Sequence, residues 1–134
     1  MDKGYARIKR AWTKGDTIEL YLPMPIRRVK AHDAVADDAG KIALQRGPIV
    51  FCAEGEDNGG KVLDFVLSDH ARLEAEFRPD LMKGVIVLKG KMLAVNKAAA
   101  GKIVSQNERD FLAIPYYAWA NRGDGEMTVW LPRR

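Results

Sequence analysis

The chain has 134 residues, 47% of them apolar and 30% charged, with a formal net charge of +4. That is the length of one domain, too apolar for disorder, and no apolar run approaches the roughly 20 residues a membrane span needs. A single cysteine, Cys52, excludes an internal disulfide, so the fold must rest on its hydrophobic core.

The start, MDKGYARIKR, lacks the apolar core of a signal peptide, which favours a cytoplasmic location. Residues 1–30 carry eight Lys/Arg against Asp2, Asp16 and Glu19, whereas the rest of the chain is almost balanced. A basic arm of this kind suits an anionic polymer. The charges interleave with apolar residues instead of forming a block, so a solvated strand face is the plainer reading. Neither a nucleic acid nor a membrane is expected as a partner.

In chain order, YARIKRAW (5–12) and TIELYL (17–22) flank Thr13-Lys14-Gly15-Asp16, the pattern of a hairpin whose second strand alternates Ile18, Leu20 and Leu22 with polar positions. KIALQR (41–46) and PIVFCAE (48–54) follow, joined through Gly47-Pro48. Further strands are predicted at 62–67, 73–78, 84–89, 110–120 and 127–131, separated by Gly, Pro, Asn and Asp turn signals. Residues 96–109 read as a polar excursion between two strands. No sustained amphipathic helix appears. Many short strands with regular turns predict an all-β fold, an antiparallel β-sandwich of jelly-roll type with little or no helix.

Candidate chemistry is thin. Cys52 lies between Phe51 and Ala53, without the cationic neighbourhood that activates a thiolate, and reads as a small core residue. His32 and His70 each adjoin an aspartate but carry no metal-ligand spacing. Glu54, Glu56 and Asp57 sit too close together on a glycine loop for a hydrolase pair, and their order is not that of a calcium loop. No catalytic, cofactor or metal residue is therefore assigned. The stretch AIPYYAWANRG (113–123) offers a contact surface of Tyr116, Tyr117, Trp119, Asn121 and Arg122. As a strand it would put Tyr117 and Trp119 on one face. Three readings stay open for it: buried core, contact with another domain or a second subunit, or a carbohydrate platform. The core reading gives Trp119→Ala a cost of roughly 3–5 kcal/mol.

Four segments carry a family resemblance: GDTIELYLPMPIRRV (15–29), GKIALQRGPIVFCAEGEDN (40–58), FRPDLMKGVIVL (77–88) and AIPYYAWANRGDGEMTVWLP (113–132). In order and spacing they resemble the C-terminal end of the bacterial β-L-arabinofuranosidase family of glycoside hydrolases. The resemblance implies a longer enzyme in which an (α/α)₆ barrel precedes β-sandwich domains. It also implies that the catalytic glutamate, the cysteine nucleophile and the zinc site belong to that barrel, so no cofactor falls in this chain. Cys52 matches a cysteine of the family that is not the catalytic one. On this basis residues 1–29 are expected to be a seam hairpin continuing a preceding sandwich, and 30–134 a C-terminal sandwich. The expected role is a non-catalytic accessory domain, and the expected partners are the barrel, a second copy, or a carbohydrate.

Overall fold

Alternating apolar positions in the middle of the chain dictate strands that can cover both faces of a sheet. The computed structural model describes residues 3–97 and 103–134. Nine strands appear in it: β1 (Ile26–Val29), β2 (Lys41–Arg46), β3 (Ile49–Glu54), β4 (Phe65–Val66), β5 (Leu73–Arg78), β6 (Val85–Lys97), β7 (Ile103–Pro115), β8 (Met127–Thr128) and β9 (Leu131–Pro132). The helical elements among the described residues are three 3-10 turns of three residues each. Every ladder between named strands is antiparallel. The protein is all-β.

The main path runs β1-β2-β3-β7-β6-β4, with β5 beside β6. It then curls back on itself. Beyond β4, Leu67 bridges to Arg133, its N–H donating to the Pro132 carbonyl at 2.8 Å, and β9 pairs with β2 through Ile42 and Leu131. The hydrogen-bonded circuit β2-β3-β7-β6-β4-β9-β2 therefore closes, leaving few free N–H groups on those edges.

Inside this circuit sit Ile42, Leu44, Phe51, Phe65, Leu67, Leu88, Met92, Phe111 and Leu131, each no more than 2% exposed. Alternation sends the neighbours outward: Cys52, Val85, Val87, Ile114 and Ala118 form a second, smaller cluster under Leu81, Met82 and Met127. The run from Phe111 to Ile114 is thus covered on both faces, as near-continuous apolarity requires. Gly90 lies between Leu73 and Phe111 in the ladders, and a Cβ there would stand 2.6 Å from the Arg72 carbonyl oxygen.

Several predicted boundaries move. The hairpin at 5–22 keeps its turn: Asp16 N–H donates to the Thr13 carbonyl at 3.1 Å and Asp16 Oδ2 accepts from Thr13 N–H at 3.0 Å. Its strands do not form, and Ile18, Leu20 and Leu22 are 58%, 76% and 65% exposed. A two-stranded ribbon with nothing behind its apolar face is marginal in water, so the pattern alone does not hold it. Strand 62–67 shrinks to Phe65–Val66, and 127–131 splits into β8 and β9. The polar stretch 96–109 is mostly ladder, for Asn96 pairs with Ser105 and Leu93 with Glu108 in the long β6–β7 hairpin. Asn96 and the residues from Ser105 to Arg109 are exposed, so the alternation signal is missing there. Residues 98–102 of that stretch lie outside the described residues.

Candidate functional site

The predicted strand 110–120 stops at Pro115, which has no N–H to continue a ladder. Tyr116–Ala118 form a 3-10 turn, so Tyr117 and Trp119 do not alternate along a strand. Ala118 is buried in the outer cluster and anchors this turn over β3. The aromatic side chains point away from it: Tyr116 is 45%, Tyr117 70% and Trp119 44% exposed. The core reading of Trp119 is therefore overturned. Tyr116 and Trp119 stack on each other, planes 7° apart and centroids 6.1 Å apart.

What holds this aromatic turn comes from more than sixty residues earlier in the sequence. Arg122 folds back so that Nη1 and Nη2 donate to Asp57 Oδ1 and Oδ2 at 2.6 and 2.5 Å, and Nη2 also to Glu54 Oε2 at 2.6 Å. The second Glu54 oxygen accepts the Ala120 N–H at 2.9 Å. Ala120 adopts a φ of +62°, a left-handed conformation that a residue with a Cβ rarely takes without such restraint. Asn121 Nδ2 donates to the carbonyls of Ala118 and Trp119 at 2.9 and 3.3 Å. The two carboxylates push the Arg122 guanidinium pKa upward, with Asp57 the larger cause.

The acidic side of the clamp is equally built in. Glu54, at the end of β3, and Asn58 are the two buried polar or charged side chains among the described residues. Asn58 replaces a strand partner: its amide donates to the carbonyls of Glu54 and Leu112, and its oxygen accepts the Leu112 N–H at 3.0 Å. Gly55 lies so near Gly60 that a Cβ would stand 2.9 Å from its carbonyl oxygen. Glu126 closes the corner, its Oε2 accepting from Val62 N–H at 2.9 Å and Leu63 N–H at 3.2 Å, which lowers its pKa.

Chemically, this arrangement fixes the position of the turn. Both Asp57 oxygens and one of Glu54 are bound by Arg122, the other Glu54 oxygen by the Ala120 N–H, and the small hollow beside Trp119 and Arg122 has a volume of about 20 Å³. Among the described residues no three His, Cys, Asp or Glu side chains stand close enough to hold a metal ion. Cys52 is 1% exposed, and burial first, then the Glu54 carboxylate, pushes its thiol up to about 12. His32 accepts the Ala34 N–H at 3.2 Å, and His70 borders a groove of about 840 Å³ over β5, β6 and β7 whose walls carry Lys91–Asp110 and other exposed charges.

Of the five residues picked from sequence, the fold brings Tyr116, Trp119, Asn121 and Arg122 into one braced turn with Tyr117 beside them. Glu54, Asp57 and Asn58 were missed as its supports. Weighed only as acids on a glycine loop, they offered no hint of a partner some 65 residues away, and only the closure of the sheet brings the two loops together.

The fold and this corner define the class: an all-β domain that presents a braced aromatic turn. The particular family is plain: the chain belongs to the glycoside hydrolase family 127 C-terminal domain, whose family model matches residues 26–132. It is 36% identical over 132 residues to a non-reducing end β-L-arabinofuranosidase of Bifidobacterium longum, an alignment covering 89% of this chain and 20% of that protein. The crystal structure of a family 127 β-L-arabinofuranosidase from Geobacillus stearothermophilus T6 superposes with a TM-score of 0.88 at 47% identity, covering 100% of this chain and 22% of that one. A second family 127 β-arabinofuranosidase gives 0.86 at 41% identity over 95% of this chain and 20% of its own. The chain thus spans about a fifth of the length of these relatives.

Proposed function

We propose that this chain serves as the non-catalytic accessory domain of a family 127 glycoside hydrolase, packing against the rest of a longer chain that carries the catalytic barrel. The observation that supports this reading is the segment before β1. Ile8, Ile18, Leu20, Tyr21 and Leu22 are each more than half exposed, yet the turn at Thr13–Asp16 that would join them as a hairpin is already hydrogen-bonded. Alternating apolar side chains around a preformed turn are a strand pair awaiting a sheet. A preceding sandwich in the same chain supplies one, which makes the residues before β1 a seam.

The test compares this chain with the longer enzyme. Leu20→Asp combined with Leu22→Asp is expected to leave the melting temperature of the isolated chain within a degree or two, because nothing covers those residues there. In the longer enzyme the same pair should lower it markedly. An equal, negligible effect in both would refute the packing role.

A further inference from the structure

We infer that the aromatic turn Pro115–Gly123 is a second docking surface for the remainder of the longer chain, distinct from the seam before β1. This rests on the accessory reading above and adds to it a specific contact.

Three observations carry it. Tyr116, Tyr117 and Trp119 are exposed together on one short turn, and clusters of Tyr and Trp are the side chains that dominate the centres of protein interfaces. Their presentation is rigid. The turn is held by a buried Glu54 and by Asp57 through Arg122, and it includes a left-handed alanine. Buried ion pairs and strained backbone cost stability, and they persist where the surrounding structure fixes a particular presentation. A surface ordered before contact loses little entropy on docking. Finally, about four fifths of each relative lies outside the part matched here, and the matching family is a C-terminal domain, so in those relatives a large protein surface accompanies this domain in the same chain.

The geometry weighs against a sugar as the main occupant. Tyr116 and Trp119 each cover one face of the other, with centroids 6.1 Å apart, which is too close to admit a sugar ring between them. The hollow alongside is about 20 Å³. A second copy of this chain would use the same chemistry, but the intrachain partner is held at high effective concentration by its covalent link.

Hydroxyl-radical footprinting of the isolated chain and of the longer enzyme tests this, with oxidation read residue by residue. Met92, buried in the core, reports folding and should stay unoxidised in both. Tyr117 and Trp119 are expected to be oxidised at least several-fold more slowly in the longer enzyme, at every protein concentration. If Tyr21 and Leu20 are protected there while Tyr117 and Trp119 are not, the docking surface is wrong and the accessory reading stands. If neither pair is protected, both fall. Protection that appears only as concentration rises assigns the turn to a second copy, and protection that needs added arabinan assigns it to carbohydrate; either overturns the inference. As a second arm, Tyr117→Ser, at a side chain 70% exposed, should leave the isolated chain's urea midpoint nearly unchanged while restoring oxidation at Tyr116 in the longer enzyme.

Discussion

Cys52 shows how far a single residue's environment decides its chemistry. Buried among Val85, Val87 and Ile114, with its thiol pushed up to about 12, it should react with a thiol reagent only as fast as the domain unfolds. Cys52→Ser places a hydroxyl without a partner there and is expected to cost about 1–3 kcal/mol in a urea titration. Trp119 goes the other way. With the indole 44% exposed, Trp119→Ala should cost about 1 kcal/mol, well short of a core tryptophan's loss. Arg122→Ala is the severe change at this corner. It strands the carboxylate of Glu54, which is 7% exposed, and should cost about 3–5 kcal/mol. Arg122→Lys recovers only part of that, because an ammonium cannot span both acids as the guanidinium fork does. Glu126 makes a pH-dependent contribution. Its folded pKa lies below the ordinary 4.5, so its bonds to Val62 and Leu63 stabilise the fold fully above that value. The contribution fades as pH falls below 4.5 and through the lower folded pKa. Melting curves from neutral to about pH 3 should therefore fall less steeply for Glu126→Gln than for the wild type.

Strands with one covered face were legible in the sequence, and those held by topology were not. β2, β3 and β5 were placed within a residue of their bounds because their apolar residues are packed against neighbours on the same sheet. β1 was missed: in IRRV the adjacent arginines are exposed on opposite faces, and its identity as a strand comes from pairing with Leu44 and its neighbours on β2. The polar stretch of the β6–β7 hairpin reads as a loop because Asn96 and Ser105 to Arg109 are exposed and show no alternation. The turn after Pro115 was hidden by its own composition, since a run of aromatics and alanines looks the same to a period-2 reading whether it is covered or projecting. The clamp partners Glu54 and Arg122 carry no local signal at all, because what joins them is the path of the sheet between. At the centre of that path, Gly90 lets β5 and β7 approach β6 from both sides. Gly90→Ala drives a Cβ into the Arg72 carbonyl, which cannot rotate away, and is expected to cost about 1–3 kcal/mol with loss of protection from hydrogen exchange in β5 before β7.

At the scale of the whole molecule, the purified chain is expected to release no arabinose from a β-L-arabinofuranoside, since Glu54 and Asp57, its best-placed acids, are bound to Arg122. Release that persists after host enzymes are rigorously removed would contradict this. Removing residues 131–134 should be far more damaging than their number suggests. It takes Leu131 out of the core and opens the circuit between Ile42 and Leu67, which should abolish cooperative unfolding measured by circular dichroism. That closure has a consequence in time as well as in space. The edge partner that seals β2, β9, is made only after almost ninety further residues, Ile42 waiting for Leu131. Loop closure of that span is slow, and an unsealed edge strand is a template for the wrong neighbour in the meantime. The nascent domain is thus most exposed to misassembly during its own synthesis, and a chaperone that shields β2 would matter most before the final strand is released.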